Sequence, residues 1–311
     1  MAPHTLRPLT RRATLALGVG LLAPLGGRSQ TTSTPLMSTR PIPSTGEALP
    51  VIGCGTYVGF DQTPDSPGYA ELPGVVDALF AAGGSVIDSS PMYGRAEATA
   101  GEILAAGGRH AKAFVATKVW TRGRAEGVRQ MNESMRLLRS EPVDLMQIHN
   151  LVDWKLHLAT LRAWKEQGRV RYIGITHYTA SAYAEVEAVL RAEQLDFLQI
   201  NYSIDDRQAE NRLLPLAAER GVAVLVNMPF GGAGGGGGLL RGLLDRPLTA
   251  WAKDIGCRNW PQVLLKFVLS HPAVTCAIPG TRRPQHMQEN AAAGVGSAPD
   301  TKFWLDKRLP D

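Results

Sequence analysis

Four residues of this chain have side chains whose types together suit proton transfer to an oxygen: Asp88, Tyr93, Lys118 and His149. Three of them end apolar runs. Val86-Ile87 leads into Asp88, Val115-Ala116-Thr117 into Lys118, and Leu145-Met146-Gln147-Ile148 into His149, while Tyr93 follows Asp88 by five positions. A lysine closing an apolar strand must be solvated or paired, and Asp88 is its natural partner. Tyrosine titrates near ~10 in water, so it is a weak donor at neutral pH until a nearby cation favours the phenolate. Lys118 is expected to supply that cation, Asp88 to keep it charged and in place, and His149 to hydrogen-bond and orient a substrate oxygen. Such a group polarises a carbonyl and protonates it as a hydride arrives. Taken singly, each residue has a plainer role: Asp88 in a turn, Tyr93 in packing, Lys118 snorkelling to water, His149 as a satisfied buried imidazole.

Bringing the four together requires strands whose carboxyl ends meet. From residue 51 onward, short apolar runs alternate with longer amphipathic ones, the pattern of repeated strand–helix units and a parallel sheet. Strands are predicted at 51–55, 85–88, 113–117, 143–148, 172–175, 197–200, 222–226 and 274–278. Helical stretches lie between them, such as 127–138 with Val128, Met131, Met135 and Leu138 on one face. These units predict an α/β fold of one domain, a (β/α)8 TIM barrel whose loops after the strands carry the chemistry. A doubly wound open sheet is the alternative. Against it, no Gly-x-Gly-x-x-Gly follows the first strand, and the candidate residues close many strands rather than one switch point.

Length and composition are compatible with that fold. The 311 residues are 44% hydrophobic and 20% charged, which suggests neither a disordered chain nor a membrane bundle. The net charge of +5 is local: Arg7, Arg11, Arg12 and Arg28 precede residue 37, in a stretch without acidic residues. Without these four, 29 basic residues face 28 acidic ones, a balance of +1 that implies no nucleic-acid partner. Cys54, Cys257 and Cys276 form no CxxC or Cys/His spacing, so no metal site and no disulfide framework is expected.

Residues 1–36 are predicted to be a signal peptide and linker, and 37–311 the barrel domain. Thr10-Arg11-Arg12-Ala13-Thr14-Leu15 precedes an uncharged run at 13–25 that is too short to span a bilayer as a helix, for which ~20 residues are needed. This segment resembles a twin-arginine (Tat) signal, which implies export to the periplasm and a transient encounter with the Tat machinery. Thr14 departs from the phenylalanine often found there. Residues 30–43, rich in Ser, Thr and Pro, read as a linker.

From about Val51 to Asn290 the chain resembles an aldo-keto reductase. The family's Asp, Tyr, Lys and His fall on Asp88, Tyr93, Lys118 and His149 within Asp-Ser-Ser-Pro-Met-Tyr-Gly, Ala-Thr-Lys-Val and Gln-Ile-His-Asn. The resemblance implies a nicotinamide cofactor, usually NADPH, bound without a Rossmann fold. It implies that Thr176, His177 and Gln199 hold the carboxamide and that Tyr202 stacks on the ring. His177 stands where members often carry asparagine. Pro229, Phe230 and Gly231 lead into a glycine run where the family folds a loop over the pyrophosphate; glycines let the backbone approach phosphate, and a flexible linker is the alternative. Thr281 and Arg282 would meet a 2′-phosphate, Glu289 and Asn290 would face the adenine amine, and His286 replaces a more usual arginine or glutamine.

Tyr57 and Trp120, with Trp154, are expected to wall an apolar substrate pocket near Tyr93. These features predict an NADPH-dependent reductase of aldehyde or ketone carbonyls, acting on a small-molecule substrate as a monomer. Two alternatives remain at this level: a cofactor-binding redox sensor or regulatory subunit with little turnover, and an aldolase using Lys118 as a Schiff base, which a charged Asp88–Lys118 pair disfavours.

Overall fold

The computed structural model describes residues 36–232 and 238–310. The twin-arginine segment and residues 233–237 of the glycine run lie outside the described residues. Eight parallel strands form one sheet: β3 (Cys54–Gly55), β4 (Val86–Asp88), β5 (Phe114–Val119), β6 (Val143–His149), β7 (Val170–Thr176), β8 (Phe197–Asn201), β9 (Ala223–Asn227) and β10 (Val274–Ala277). They pair in sequence order, β3 to β10. The parallel bridges Ile52↔Ala277 and Gly55↔Gly280 join the first strand to the last, so the sheet closes on itself. This is the predicted (β/α)8 barrel, a single domain. Each predicted strand is present. The first is the most shortened, because of residues 51–53 only Ile52 bridges the neighbouring strand.

Helices return the chain between strands: α1 (Pro67–Ala81), α2 (Ala96–Ala105), α3 (Arg124–Leu138), α4 (Trp154–Glu166), α5 (Tyr183–Ala192) and α6 (Leu213–Glu219). Between β9 and β10 lie α7 (Gly238–Leu243), α8 (Ala250–Asp254) and α9 (Trp260–Ser270), and α10 (Pro284–Ala292) follows β10. α3 shows how sequence sets the packing. Met131, Met135 and Leu138 recur at helical spacing and are buried, whereas Arg129 and Arg136 face water.

One element was not predicted. The stretch read as a linker contains β1 (Thr39–Pro41), which pairs antiparallel with β2 (Ala48–Pro50). The hairpin closes the amino end of the barrel, and Ile42, just after β1, and Leu49 of β2 enter the same apolar cluster as Phe114, Tyr172 and Phe197. Tyr172 Oη donates to Glu47 Oε2 at 2.7 Å and ties the hairpin to β7. The prolines and hydroxyl residues that suggested a linker also suit an exposed edge ribbon.

Strand alternation divides the barrel wall into two faces. Inward residues at the amino end form a small apolar core, and outward ones join the large core under the helices. In the inner core Phe114, Tyr172 and Phe197 lie 5.5–6.0 Å apart, ring centre to ring centre. Gly174 makes room for them, since a Cβ there would lie 2.7 Å from the Phe197 carbonyl oxygen.

Candidate active site

Further along the same inward face, the side chains change from apolar to polar. On β5 the inward series is Phe114, Ala116, Lys118; on β6 it is Leu145, Gln147, His149; on β8 it is Phe197, Gln199, Asn201. Asp88 ends β4 at the same level and is the hub of this layer. Lys118 Nζ donates to Asp88 Oδ2 at 2.6 Å and to the Ser89 carbonyl at 2.7 Å. Gln147 Nε2 and Gln199 Nε2 donate to Asp88 Oδ1 at 3.2 and 2.9 Å. Lys118 is fully buried and Asp88 is 2% exposed, so the pair is shielded from water.

The structure places Tyr93 and His149 against this hub. Lys118 Nζ lies 5.2 Å from the centre of the Tyr93 ring, and Tyr93 meets His149 edge-on at 6.2 Å between ring centres. His149 Nδ1 is 3.2 Å from Ser90 Oγ, which leaves Nε2 for a ligand. Burial, followed by the charge of Lys118, pushes the His149 imidazole down to about 3. It is therefore neutral at physiological pH. Burial also pulls on Lys118, but Asp88 and Tyr93 outweigh it and the ammonium is held above its ordinary value. An amine kept charged in this way is a poor Schiff-base nucleophile.

Tyr93 departs from expectation. The phenol was predicted to be made more acidic by its cation, yet its pKa is raised. Burial is the largest cause; Lys118 opposes it, and Asp88 adds to it. Lys118 thus limits the rise without reversing it, and the free site holds a neutral phenol.

Of the predicted wall residues, Tyr57 lies 5.0 Å from Tyr93 and Trp120 lies 6.3 Å from His149, between ring centres. Both remain exposed, at 58% and 41%, and flank the mouth. Trp154 opens α4 and packs against the outer core with Lys155 over its ring.

The predicted cofactor residues divide into three groups. Thr176 Oγ1 donates to Gln199 Oε1 at 3.2 Å, which joins both to the Asp88 hub. His177 Nδ1 accepts from the Tyr178 and Thr179 amides at 3.0 and 3.3 Å, and burial lowers its pKa, so it too is neutral. Pro229 is buried and Phe230 packs on the core; Gly231 and Gly232 follow with φ of +64° and +86°. Asp205 lies against this turn, taking the Gly232 amide at 2.9 Å. Thr281 and the exposed Arg282 and His286 stand where β10 runs into α10, and a helix N-terminus favours an anion. Glu289 is partly exposed further along that helix, whereas Asn290 is only 3% exposed.

Tyr202 requires correction. It was expected to stack on the nicotinamide, but it is 1% exposed and packs at 5.3 Å against Phe267 of α9. Tyr202 lies just past the end of β8, where Gln199 and Asn201 face inward, and the chain there turns its side chain outward onto α9. Two inward residues were missed. Gln147 contacts Asp88, and Asn227 ends β9 with its Nδ2 donating to the His177 carbonyl at 3.3 Å. Each leaves a buried amide oxygen without a partner among the described residues. Their period-two spacing from His149 and Leu225 was the available signal.

A (β/α)8 barrel with a polar layer of this kind above an apolar floor is the framework of a barrel oxidoreductase. The chain belongs to the aldo/keto reductase family, whose model matches residues 51–302, and is an NAD(P)H-dependent enzyme of that family. It is 29% identical to methylglyoxal reductase YeaE of Escherichia coli (strain K12), over 85% of this chain and 92% of that protein. It is also 29% identical to aldo-keto reductase str7 of Strobilurus tenacellus, over 70% of this chain and 75% of its relative. An aldo/keto reductase from Klebsiella pneumoniae, solved with NADP and acetate, superposes with a TM-score of 0.67 at 25% identity, over 81% and 88% of the two chains. The holo form of AKR11C1 from Bacillus halodurans has the same fold, with a TM-score of 0.68 at 21% identity, over 86% and 95%.

Proposed function

We propose that this protein reduces the carbonyl of a small aldehyde or ketone with NADPH, and that Tyr93 donates the proton. The observation that carries the proposal is the buried 2.6 Å Lys118–Asp88 pair beside the Tyr93 ring. Bound NADPH supplies the hydride. The chain's part is to hold the carbonyl oxygen between the Tyr93 hydroxyl and His149 Nε2, both neutral donors at physiological pH. As the oxygen gains charge, these donors stabilise it, and the proton passes from Tyr93 Oη. The phenolate left behind faces the Lys118 ammonium, which Asp88 keeps charged. Gln147 and Gln199 in turn fix Asp88.

The residues present fit a dinucleotide. The partnerless oxygens of Gln147 and Asn227 are acceptors at the site end of the barrel, and a carboxamide NH2 is a donor of the kind they lack. The positive-φ Gly231 and Gly232 suit close backbone approach. Arg282, exposed and in no ion pair among the described residues, supports a 2′-phosphate and hence NADPH over NADH. Similarity to a methylglyoxal reductase makes methylglyoxal the first substrate to try. The open, aromatic-flanked mouth also suits other reactive aldehydes.

Purified protein given NADPH and methylglyoxal or related aldehydes should lose cofactor absorbance in steady state. Tyr93→Phe should lower kcat by about 10²–10⁴, the range for a lost general acid. If Tyr93→Phe keeps a tenth of the turnover, the donor is another group.

A further inference from the structure

Glu97 is a second buried carboxylate near Lys118, and the proton transfer above does not use it. It lies in the first turn of α2 and is 2% exposed. Thr117 Oγ1 donates to its Oε1 at 2.5 Å, and Ser134 Oγ from α3 donates to its Oε2 at 3.1 Å. Both oxygens accept, as in an ionised carboxylate, yet the two donors are neutral hydroxyls. A buried charge without a contact counter-ion is costly unless something compensates it. Burial raises the Glu97 pKa above its ordinary value, while the hydroxyls of Thr117 and Ser134 and the charge of Lys118 oppose that rise, and its place in the first turn of α2 favours the anion as well. Thr117 and Lys118 are consecutive on β5, so their side chains leave opposite faces of one strand. The ammonium therefore sits between Asp88 inside the barrel and Glu97 behind its wall.

We propose that Glu97 is a positioning residue for the proton donor, an ionised carboxylate whose charge acts through β5 to keep Lys118 an ammonium and Tyr93 a neutral phenol. With Tyr93 neutral, Asp88, Lys118 and Glu97 sum to one negative charge, which opposes formation of phenolate. Without Glu97 the pair would be neutral, and the phenol would ionise more readily. The groups facing this set are Thr117 and Lys118 from β5, Ser134 and Glu133 from α3, Asp88 from β4, Tyr57 from the loop after β3 and His149 from β6. Only Lys118 among them is positive at neutral pH. The proposal rests on Tyr93 as donor, and its consequence is that the donor stays loaded with its proton at neutral and mildly alkaline pH.

The test is the ionisation of Tyr93 itself in the full-length protein without cofactor, read as the ultraviolet tyrosinate signal that Tyr93→Phe removes. Glu97→Gln should move that ionisation to lower pH by about half a unit to one unit. The alkaline limb of kcat/KM for reduction should move with it. Glu97→Asp, which keeps the charge, should bring both back towards wild type. Where Glu97→Gln does not fold, Thr117→Val removes the shorter hydrogen bond, favours the neutral acid, and should shift Tyr93 the same way by less. No earlier ionisation in these variants overturns the proposal, including a phenol that stays protonated up to alkaline unfolding in wild type and variant alike. Equal shifts in Glu97→Asp and Glu97→Gln also overturn it, since packing alone would then be at work. Failure of the parent reading looks different: Tyr93→Phe would retain turnover whatever Glu97 does.

Discussion

The two ends of the barrel interior are built by the same strands on the same inward face, and they hold opposite chemistry. At the amino end Phe114, Tyr172 and Phe197 interlock as a floor. Two to four residues further along these strands come Lys118, Thr176 and Gln199, joined through Asp88. Depth along a strand, more than the identity of the strand, assigns the role. The floor needs only volume and shape, and neighbours can relax around an error. The polar layer needs each donor matched to an acceptor, because repacking can shrink a void but cannot supply a missing counter-ion.

Removing the cation should disturb the polar layer most. Lys118→Met leaves Asp88 buried, with amide donors from Gln147 and Gln199 in place of a counter-ion. Stability should fall by about 3–5 kcal/mol, measured by denaturant unfolding. Turnover should fall by about 10³ or more, since the phenolate loses its stabiliser. Combining Lys118→Met with Asp88→Asn should restore most of the stability and none of the turnover. A single variant as stable as wild type would mean that charge balance does not organise the layer.

The floor should answer differently. Phe197→Ala removes a ring that is fully buried between Phe114 and Tyr172, and it should cost about 3–5 kcal/mol of stability. The part of the protein that stays folded should keep kcat within about threefold and an unchanged pH profile, because no polar contact of the site is lost. A shifted pH limb in Phe197→Ala would show that the two ends are mechanically coupled.

This division also explains what could be read from sequence. Apolar runs ending in Asp88, Lys118 and His149 announced themselves, because a titratable side chain at the end of a buried strand has few structural uses. The eight strands were legible for the same reason, through repeated apolar runs. Gln147 and Asn227 were passed over because an amide at a strand end is common, and only inward parity marks it. The hairpin β1–β2 was hidden by a composition that suits both linkers and edge ribbons. The acidity of Tyr93 was misjudged in direction because sequence identifies a neighbouring cation but not how deeply the phenol is buried.

Tyr202 gives the smallest and most selective comparison, a residue that follows the polar layer in sequence but belongs to the helix layer in space. Its hydroxyl donates to Glu210 Oε1 at 2.5 Å, and burial followed by that carboxylate pushes the phenol pKa up. Arg207 also holds Glu210, with Nε on Oε1 and a second nitrogen on Oε2, both at 3.0 Å. Tyr202→Phe therefore leaves no acceptor orphaned and keeps the ring against Phe267. The expected cost is about 1 kcal/mol of stability, with the dissociation constant for NADPH, followed by fluorescence, unchanged within about twofold. A weakening of NADPH binding beyond that range, without loss of stability, would return Tyr202 to the site.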